Sequence, residues 1–167
     1  MGQRLVQAVE ENPKTKLVGA TERSGHDWVG LDLGLVMFGK KNGILVSDEP
    51  IKSFIGADAV IDFTSPVATI SHSVLSAQAR IVHVIGTTGF SQEQIKKIKM
   101  AAQHAIIIRA GNMSLGVNLL VQLTKQVSAV LDKQYDIEIL EMHHNKKIDA
   151  PSGTALMLGE AAAKGRG

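Results

Sequence analysis

The 167-residue sequence contains no cysteine, which excludes a disulfide framework and catalysis by a thiolate. A chain without cysteine fits a reducing compartment, and we expect a cytoplasmic location. No apolar run approaches the ~20 residues that a membrane-spanning helix needs, and no signal-peptide pattern opens the chain. The sequence therefore gives no reason to expect a membrane partner.

Aromatic residues are also scarce, at 4% of the chain, and the formal net charge is only +2. Surfaces that bind nucleic acids combine dense positive charge with aromatic side chains on which bases stack. The basic run Lys96-Lys97-Ile98-Lys99 has the spacing of the solvated face of a helix. We therefore expect no nucleic-acid partner. With 44% hydrophobic and 20% charged residues, the composition is that of an ordinary globular protein.

Runs rich in valine and isoleucine alternate with helical patterns along the first two thirds of the chain, which predicts an α/β fold with a parallel sheet covered on both faces. Ligands of such sheets bind at the carboxyl ends of the strands. Strands are predicted at 16–21, 44–46, 59–64, 80–85 and 105–109, and helices at 1–11, 51–55, 67–79, 92–104 and 116–131. Four of the strand ends are polar or glycine-rich, as expected around a dinucleotide: Glu22-Arg23, Phe63-Thr64-Ser65, Gly86-Thr87-Thr88 and Ala110-Gly111-Asn112-Met113.

Glu22 and Arg23, at the end of the strand 16–21, carry the prediction of cofactor type. In dinucleotide-binding folds, an acidic residue about 20 positions after the glycine-rich turn binds the ribose hydroxyls. Glu22 has that place, and Arg23 beside it could meet a 2′-phosphate. The pair therefore predicts that NADPH or NADH binds. On these residues alone, a plain surface ion pair stays an open alternative.

The stretch from Glu141 to Thr154 carries the strongest signal for chemistry. The preceding residues 135–142 alternate apolar with acidic side chains, which predicts a strand, and a helix is predicted from Thr154 onward. Pro151 and Ser152 mark the helix start, where backbone N–H groups lack intrahelical partners and suit an anion. The charge of Lys147 adds to this, so the connection predicts a pocket for a small carboxylate or phosphate.

Two histidines stand at the entrance of this connection, and a histidine beside a bound anion is a natural proton donor near neutral pH. Adjacent residues of a strand point to opposite faces, so at most one of His143 and His144 should face the reacting atom. Two alternatives stay open from the residues alone: a solvated basic loop and a metal site. The metal site is disfavoured because adjacent strand histidines diverge and no helical His-x-x-x-His pair occurs nearby. We interpret His26, His72, His83 and His104 as structural or surface residues.

The run from His143 to Ala155 closely resembles the signature of the dihydrodipicolinate reductases (4-hydroxy-tetrahydrodipicolinate reductases), which are NAD(P)H-dependent enzymes of lysine and diaminopimelate biosynthesis. Their pattern, His-His-x-x-Lys-x-Asp-Ala-Pro-Ser-Gly-Thr-Ala, is matched without a gap. The resemblance implies a Rossmann-like doubly wound parallel sheet in an NAD(P)-binding domain at 1–114. It also implies the beginning of an α+β domain for substrate binding and tetramer formation at 115–167.

The resemblance further implies hydride transfer from NADPH or NADH to a small cyclic dicarboxylate, in a homotetramer. It assigns catalytic proton handling to His143 and Lys147, and substrate binding to His144, Gly153 and Thr154. The cofactor-binding residues that it implies are Met1, Glu22, Arg23, Gly86, Thr87, Thr88, Ala110, Gly111, Asn112 and Met113. Two departures bear on cofactor choice and contact: Ser65 stands where some members carry an arginine, and Gly111 where some carry alanine.

A larger departure concerns the start of the chain. Family members open with a strand and a Gly-x-x-Gly-x-Met-Gly loop, and Met1-Gly2 resembles the tail of that motif, with about fifteen residues absent before it. We expect the missing strand to leave a break in the sheet between the strands 16–21 and 80–85. The chain also stops just after one helix of the second domain, so it resembles the middle of a longer enzyme. The alternative function is therefore a catalytically incompetent fragment or scaffold that binds no cofactor.

Overall fold

The computed structural model describes residues 1–145, 147 and 150–167. Within them the order of elements is that of an α/β protein. The helices are α1 (Gly2–Glu11), α2 (Leu33–Phe38), α3 (Pro50–Phe54), α4 (Pro66–Ala79), α5 (Gln92–Ala101), α6 (Leu115–Val130) and α7 (Gly153–Arg166). The strands are β1 (Ala20–Thr21), β2 (Val46–Ser47), β3 (Ala59–Asp62), β4 (Val82–Ile85) and β5 (Ile107–Arg109).

The strands of the described residues form two parallel groups, β1–β2 and β3–β4–β5. The prediction of parallel strands joined by helices is confirmed. The predicted position of the break in the sheet is wrong. Ala59 stands opposite Val82 and Asp62 opposite Ile85, so β3 lies directly beside β4. The break therefore lies between β1 and β3.

A cavity of about 330 Å³ lies in this break, between β1 and β3. Residues 17–22 line it on the β1 side and residues 59–61 on the β3 side, while Leu5, Val6 and Val9 of α1 also face it. The two strand groups are thus separated by an apolar cleft.

Helix boundaries follow the local capping signals of the sequence. The hydroxyl of Ser91 accepts from the Gln94 N–H and the Gln94 side chain accepts from the Ser91 N–H, which forms a capping box at the start of α5. Ser65 caps α4 with Pro66 in its first turn, and Ser114 caps α6. Each cap joins residues within three positions of one another, so it depends on local sequence alone.

The predicted strand at 135–142 is not observed. These residues pair with no strand within the described chain, and residues 135–140 are all exposed. An alternating sequence becomes a strand only where a neighbouring backbone completes its hydrogen bonds. Here the segment leads from the end of α6 to α7, which pack against each other. Gly165 of α7 allows the close approach, because a Cβ there would overlap the carbonyl of Lys125.

Candidate functional site

Two of the predicted loops meet the start of α7. A Cβ added to Gly153 would lie 3.0 Å from the carbonyl oxygen of Gly111 and 3.1 Å from Cγ2 of Thr88. A Cβ on Gly111 would in turn lie 3.2 Å from Sδ of Met157 on α7. The loop after β4, the loop after β5 and the N-terminus of α7 therefore share one place. Glycine at 111 and 153 is what lets the backbones approach so closely.

Asn112 joins the loop after β5 to α7 with its side chain. Its amide Nδ2 donates to Oγ1 of Thr154 at 2.9 Å, and its Oδ1 accepts from the N–H of Ser114 at 2.9 Å. The Asn118 amide donates to the Asn112 carbonyl at 3.1 Å. The hydroxyl of Thr154 accepts in this arrangement, so its own hydrogen is left to donate. Asn112 thus fixes a hydroxyl donor beside the amides that open α7.

The N-terminus of α7 is less open than the sequence predicted. The N–H of Ser152 donates to Oε1 of Glu141 at 2.8 Å, and the Ser152 hydroxyl accepts from the N–H of Ala155 at 3.0 Å. The prediction that Ser152 offers its amide to an anion is wrong, because a carboxylate of the chain itself already binds it. Within the described residues, the N–H groups of Gly153 and Thr154 have no acceptor and remain available to an anion.

Hydrogen bonding from Ser152, with smaller contributions from the charges of His143 and Lys147, holds the pKa of Glu141 below its ordinary value. Burial opposes this shift but is outweighed. The carboxylate of Glu141 therefore stays ionised at neutral pH. Its other oxygen, Oε2, lies 3.3 Å from Nδ1 of His143, whose side chain is 39% exposed. Glu141 thus links the start of α7 to one of the predicted catalytic side chains.

We expect Glu141→Gln to lower the melting temperature at neutral pH, because an ionised carboxylate is the better partner for the open end of a helix. A group with a depressed pKa stabilises the fold above its ordinary pKa, here 4.5, and loses that effect as the pH falls. The difference between variant and wild type should therefore shrink below about pH 4.5. Thermal denaturation across pH measures this. Glu138→Gln, an exposed acid of the same segment, is the control; an equal effect of both changes would contradict the prediction.

The other candidates of this segment lie close together along the chain. His143 and His144 are exposed, Lys147 is half-buried, and the N–H of Lys147 donates to the carbonyl of His144 at 3.1 Å. Because no strand forms here, the argument that the two histidines point to opposite faces loses its basis. Of the intervening and following residues, 146, 148 and 149 lie outside the described chain.

The predicted ribose-binding residues lie at the break in the sheet. The N–H of Glu22 donates to the carbonyl of Ser47 at 3.0 Å, and the Glu22 carboxylate accepts from the N–H of Arg23 at 3.2 Å. Glu22 faces the cavity between β1 and β3, Arg23 is exposed, and Met1 precedes the first turn of α1 and is exposed. Glu22 and Arg23 follow β1, whereas the Gly86–Gly89 loop follows β4 in the other strand group.

Gly86 begins the loop after β4 under tight packing. Its N–H donates to the carbonyl of Asp62 at 2.8 Å, and a Cβ there would overlap the ring of Phe63. Glycine is therefore required at this position for packing alone, whatever the loop binds.

We expect Gly86→Ala to lower the free energy of unfolding by about 1–3 kcal/mol, the usual cost of overpacking a close contact. Urea denaturation measures the change as a lower midpoint at unchanged slope. Gly116→Ala is the matched control, because a Cβ at Gly116 meets nothing closer than 3.8 Å. A stability of Gly86→Ala equal to that of the control would show that the Phe63 ring simply moves aside.

Sequence reasoning missed a buried polar cluster beneath this loop. Asp62 of β3 is 1% exposed, and its carboxylate contacts His72 of α4 and His83 of β4, which are also buried. The interpretation of His72 and His83 as structural is consistent with this burial. The available signal was an acidic residue at the end of an otherwise apolar strand, Ala59-Val60-Ile61-Asp62. Burial raises the pKa of Asp62, but hydrogen bonds from His72, His83 and Thr64 outweigh it and hold the pKa far below the ordinary value.

No group of three or more His, Cys, Asp or Glu side chains in the described part of the chain is placed to hold a metal ion. Among the same residues, no helix is long and apolar enough to cross a bilayer.

Comparison with known proteins decides the family. The model of the dihydrodipicolinate reductase N-terminus matches residues 1–113, and the model of the dihydrodipicolinate reductase C-terminus matches residues 116–167. The chain belongs to the dihydrodipicolinate reductase family. The resemblance seen in the His143–Ala155 signature is confirmed by these matches, which together cover almost the whole chain.

Relatives in this family are close in sequence. The 4-hydroxy-tetrahydrodipicolinate reductase of Ruegeria pomeroyi is 62% identical over 167 residues, and that of Dinoroseobacter shibae is 60% identical. In both cases all of this chain is aligned, but only 62% of the relative. The chain thus spans about three fifths of the length of these relatives.

A solved structure of the family has the same fold. The chain is similar to the dipicolinate-bound dihydrodipicolinate reductase of Paenisporosarcina sp. TG-14, with a TM-score of 0.72 and 29% identity. The match covers 99% of this chain and 62% of that one. The strands and helices of this chain therefore follow the dihydrodipicolinate reductase fold.

Proposed function

We propose that this chain carries the nicotinamide end of the cofactor site and the anion-binding start of the substrate site of a 4-hydroxy-tetrahydrodipicolinate reductase. The reaction is hydride transfer from NADPH or NADH to a cyclic dicarboxylate, in lysine and diaminopimelate biosynthesis. The observation that carries the proposal is the approach of Gly153 to Gly111 and Thr88. It joins the two loops predicted for the cofactor to the helix start predicted for the substrate.

The residues of the two loops fit a nicotinamide ring and its ribose. The chain after β4 reads Gly-Thr-Thr-Gly and the chain after β5 reads Ala-Gly-Asn-Met, so a planar group can approach the backbone without meeting long side chains. When bound, the reduced nicotinamide supplies the hydride. The loops after β4 and β5 would hold the ring beside the N-terminus of α7. The Glu22–Arg23 pair at the end of β1 is proposed for the adenosine ribose and its 2′-phosphate.

The start of α7 fits one carboxylate of the substrate. The N–H groups of Gly153 and Thr154 and the hydroxyl of Thr154 are donors at the positive end of a helix of 14 residues. Lys147 adds a positive charge on the same connection. The Glu141 carboxylate takes the Ser152 amide, which confines the anion to the side of the helix start that faces Gly111.

His143 is proposed as the proton donor, with Lys147 orienting the substrate and sharing the proton handling, and His144 contacting the substrate. The contact of Nδ1 with Glu141 supports the role of His143. With the carboxylate beside Nδ1, the other ring nitrogen, Nε2, is left for the substrate.

Nucleotide titration followed by nicotinamide fluorescence tests the proposal. We expect NADPH or NADH to bind with a dissociation constant in the micromolar range, about 8 kcal/mol of binding free energy, and dipicolinate to bind to the nucleotide-loaded chain. Gly153→Val is the blocked variant, since its branched side chain would project into Gly111 and Thr88. The matched control is Gly159→Val in the same helix, where a Cβ meets nothing closer than 3.5 Å. If the wild-type chain binds neither nucleotide, the proposed function is wrong and the alternative, a scaffold that binds no cofactor, is supported.

We also propose that the protein assembles as a homotetramer in the cytoplasm. An apolar face on α6 supports assembly, with Leu119, Leu120 and Val127 all more than half exposed. Light scattering measures the mass in solution. A monomer at all concentrations would refute assembly of this chain.

A further inference from the structure

The carboxylate of Asp62 is the centre of a buried hydrogen-bond network, and Asp62 was not among the predicted site residues. Its Oδ2 lies 2.9 Å from Nδ1 of His72 and 3.2 Å from Nε2 of His83. An ionised carboxylate only accepts, so His72 carries a hydrogen on Nδ1 and His83 carries one on Nε2. The hydroxyl of Ser73 donates to the Thr69 carbonyl at 2.8 Å and lies 3.4 Å from the other ring nitrogen of His83. This carboxylate oxygen therefore links β3 to α4 and to β4.

The other oxygen, Oδ1, binds Thr64 after β3 and also contacts Thr87 in the loop that follows β4. It accepts from the hydroxyl of Thr64 at 2.6 Å, from the N–H of Thr64 at 3.1 Å and from the hydroxyl of Thr87 at 3.4 Å. The hydroxyl of Thr87 also accepts from the N–H of Thr64 and from the hydroxyl of Thr69, both at 3.0 Å. Thr87 is 5% exposed. Its hydroxyl is thus held by three neighbours beneath the loop and is turned away from any ligand.

The two threonines of the loop therefore have different tasks. Thr87 points into the cluster, while the methyl group of Thr88 is the part that would meet a Cβ on Gly153. The glycines on either side of the two threonines add backbone freedom to the loop. The bonds made through the Thr87 hydroxyl restrict that freedom from beneath the loop.

Burying a carboxylate costs several kcal/mol unless its partners compensate. An apolar side chain at position 62 would avoid this desolvation cost. The network places this carboxylate directly under the first residues of the loop. We propose that Asp62 is a positioning residue: through the hydroxyl of Thr87 it fixes the Gly86–Gly89 loop in the conformation that holds the nicotinamide end of the cofactor. The inference rests on the function proposed above and adds to it a determinant outside the binding surface.

A pair of Thr87 variants separates positioning from folding. Thr87→Val keeps the branched shape and removes the hydroxyl, while Thr87→Ser keeps the hydroxyl. We expect Thr87→Val to speed amide hydrogen exchange at Thr88 and Gly89 at least tenfold, and to weaken nucleotide binding about tenfold. Thr87→Ser should restore both toward wild type. Exchange at β5 amides reports the stability of the sheet, and it should change far less.

Hydrogen exchange of Asp62→Asn is the second experiment. Asp58→Asn is its control, because Asp58 is an exposed acid next to the same strand. Asp62→Asn should speed exchange at the same loop amides, and Asp58→Asn should not. Unchanged loop exchange in Thr87→Val would overturn the positioning role. In Thr87→Val, an equal rise in exchange across sheet and loop would also overturn it, since the Thr87 hydroxyl would then act only on the stability of the whole fold. If the wild-type chain binds no nucleotide, the proposed function fails, and the exchange rates alone decide whether Asp62 positions the loop.

Discussion

Replacing Asp62 with asparagine is expected to lower the free energy of unfolding by about 1–3 kcal/mol, the usual cost of leaving a buried hydrogen-bonding group without its partner. Asparagine has nearly the shape of aspartate, so the change leaves the packing in place. One of its two terminal groups is an amide that can only donate. That amide would face either the donors His72 and His83 or the donor Thr64, so at least one buried group would lose its acceptor.

Urea denaturation of wild type, Asp62→Asn and Asp58→Asn measures this effect. The exposed Asp58 should change stability by less than about 0.5 kcal/mol, as surface substitutions do. A loss in Asp62→Asn of the same small size would mean that the cluster relaxes around the amide, and that its hydrogen bonds contribute little to the fold.

The stability difference between wild type and Asp62→Asn should also depend on pH. The pKa of Asp62 is depressed in the folded chain, so the unfolded chain binds the proton more readily. The stabilisation by Asp62 is therefore complete above the ordinary pKa of 3.8 and is lost as the pH falls below it toward the folded-state pKa. The groups that contact the carboxylate are His72, His83, Thr64 and Thr87. We expect the stability gap between wild type and Asp62→Asn to narrow below about pH 3.8.

His143→Ala is expected to reduce turnover by about 10²- to 10⁴-fold, the usual contribution of a positioned general acid. Nucleotide binding should stay within a few-fold of wild type, because His143 is proposed to act on the substrate. Nδ1 of His143 lies 3.3 Å from the Glu141 carboxylate, a neighbour that an alanine side chain could not use. Oxidation of NADPH, followed by absorbance in the presence of substrate, gives the rate.

His104→Ala is the matched control for this prediction, since His104 is an exposed histidine just after α5 and far from the segment in sequence. The proposal expects its turnover to equal that of wild type. Turnover of His143→Ala within a few-fold of wild type would remove His143 from the proton-transfer role and leave Lys147 as the candidate.

Sequence reasoning found the helices more accurately than the strands, and the physical reason is locality. The capping box Ser91–Gln94 lies within four residues, so the start of α5 could be predicted from neighbours alone. A strand needs a partner. The alternating segment 135–142 has none within the described chain, and β1 keeps two residues of the six predicted because only those pair with β2.

The candidate site likewise contains features that the sequence predicted and contacts that it did not, because those contacts join residues distant in sequence. The loops after β4 and β5 were predicted because the carboxyl ends of parallel strands meet at one edge of a sheet. The capture of the Ser152 amide by Glu141 spans 11 residues across a loop, and no local pattern announces it. The Asp62 cluster joins residues up to 25 positions apart. Only the acidic residue at the end of an apolar strand hinted at it.

The break in the sheet has a consequence for the behaviour of the chain in concentrated solution. The carbonyls of Asp58 and Asp62 accept from β4, so by alternation the peptide groups of Ala59 and Ile61 point toward the cleft. Within the described residues no strand covers that side of β3, and Ile61 is 45% exposed. Such a margin is a template on which a second molecule can add its own backbone. An extended peptide that seats there would pair with β3 and close the cleft between the two strand groups.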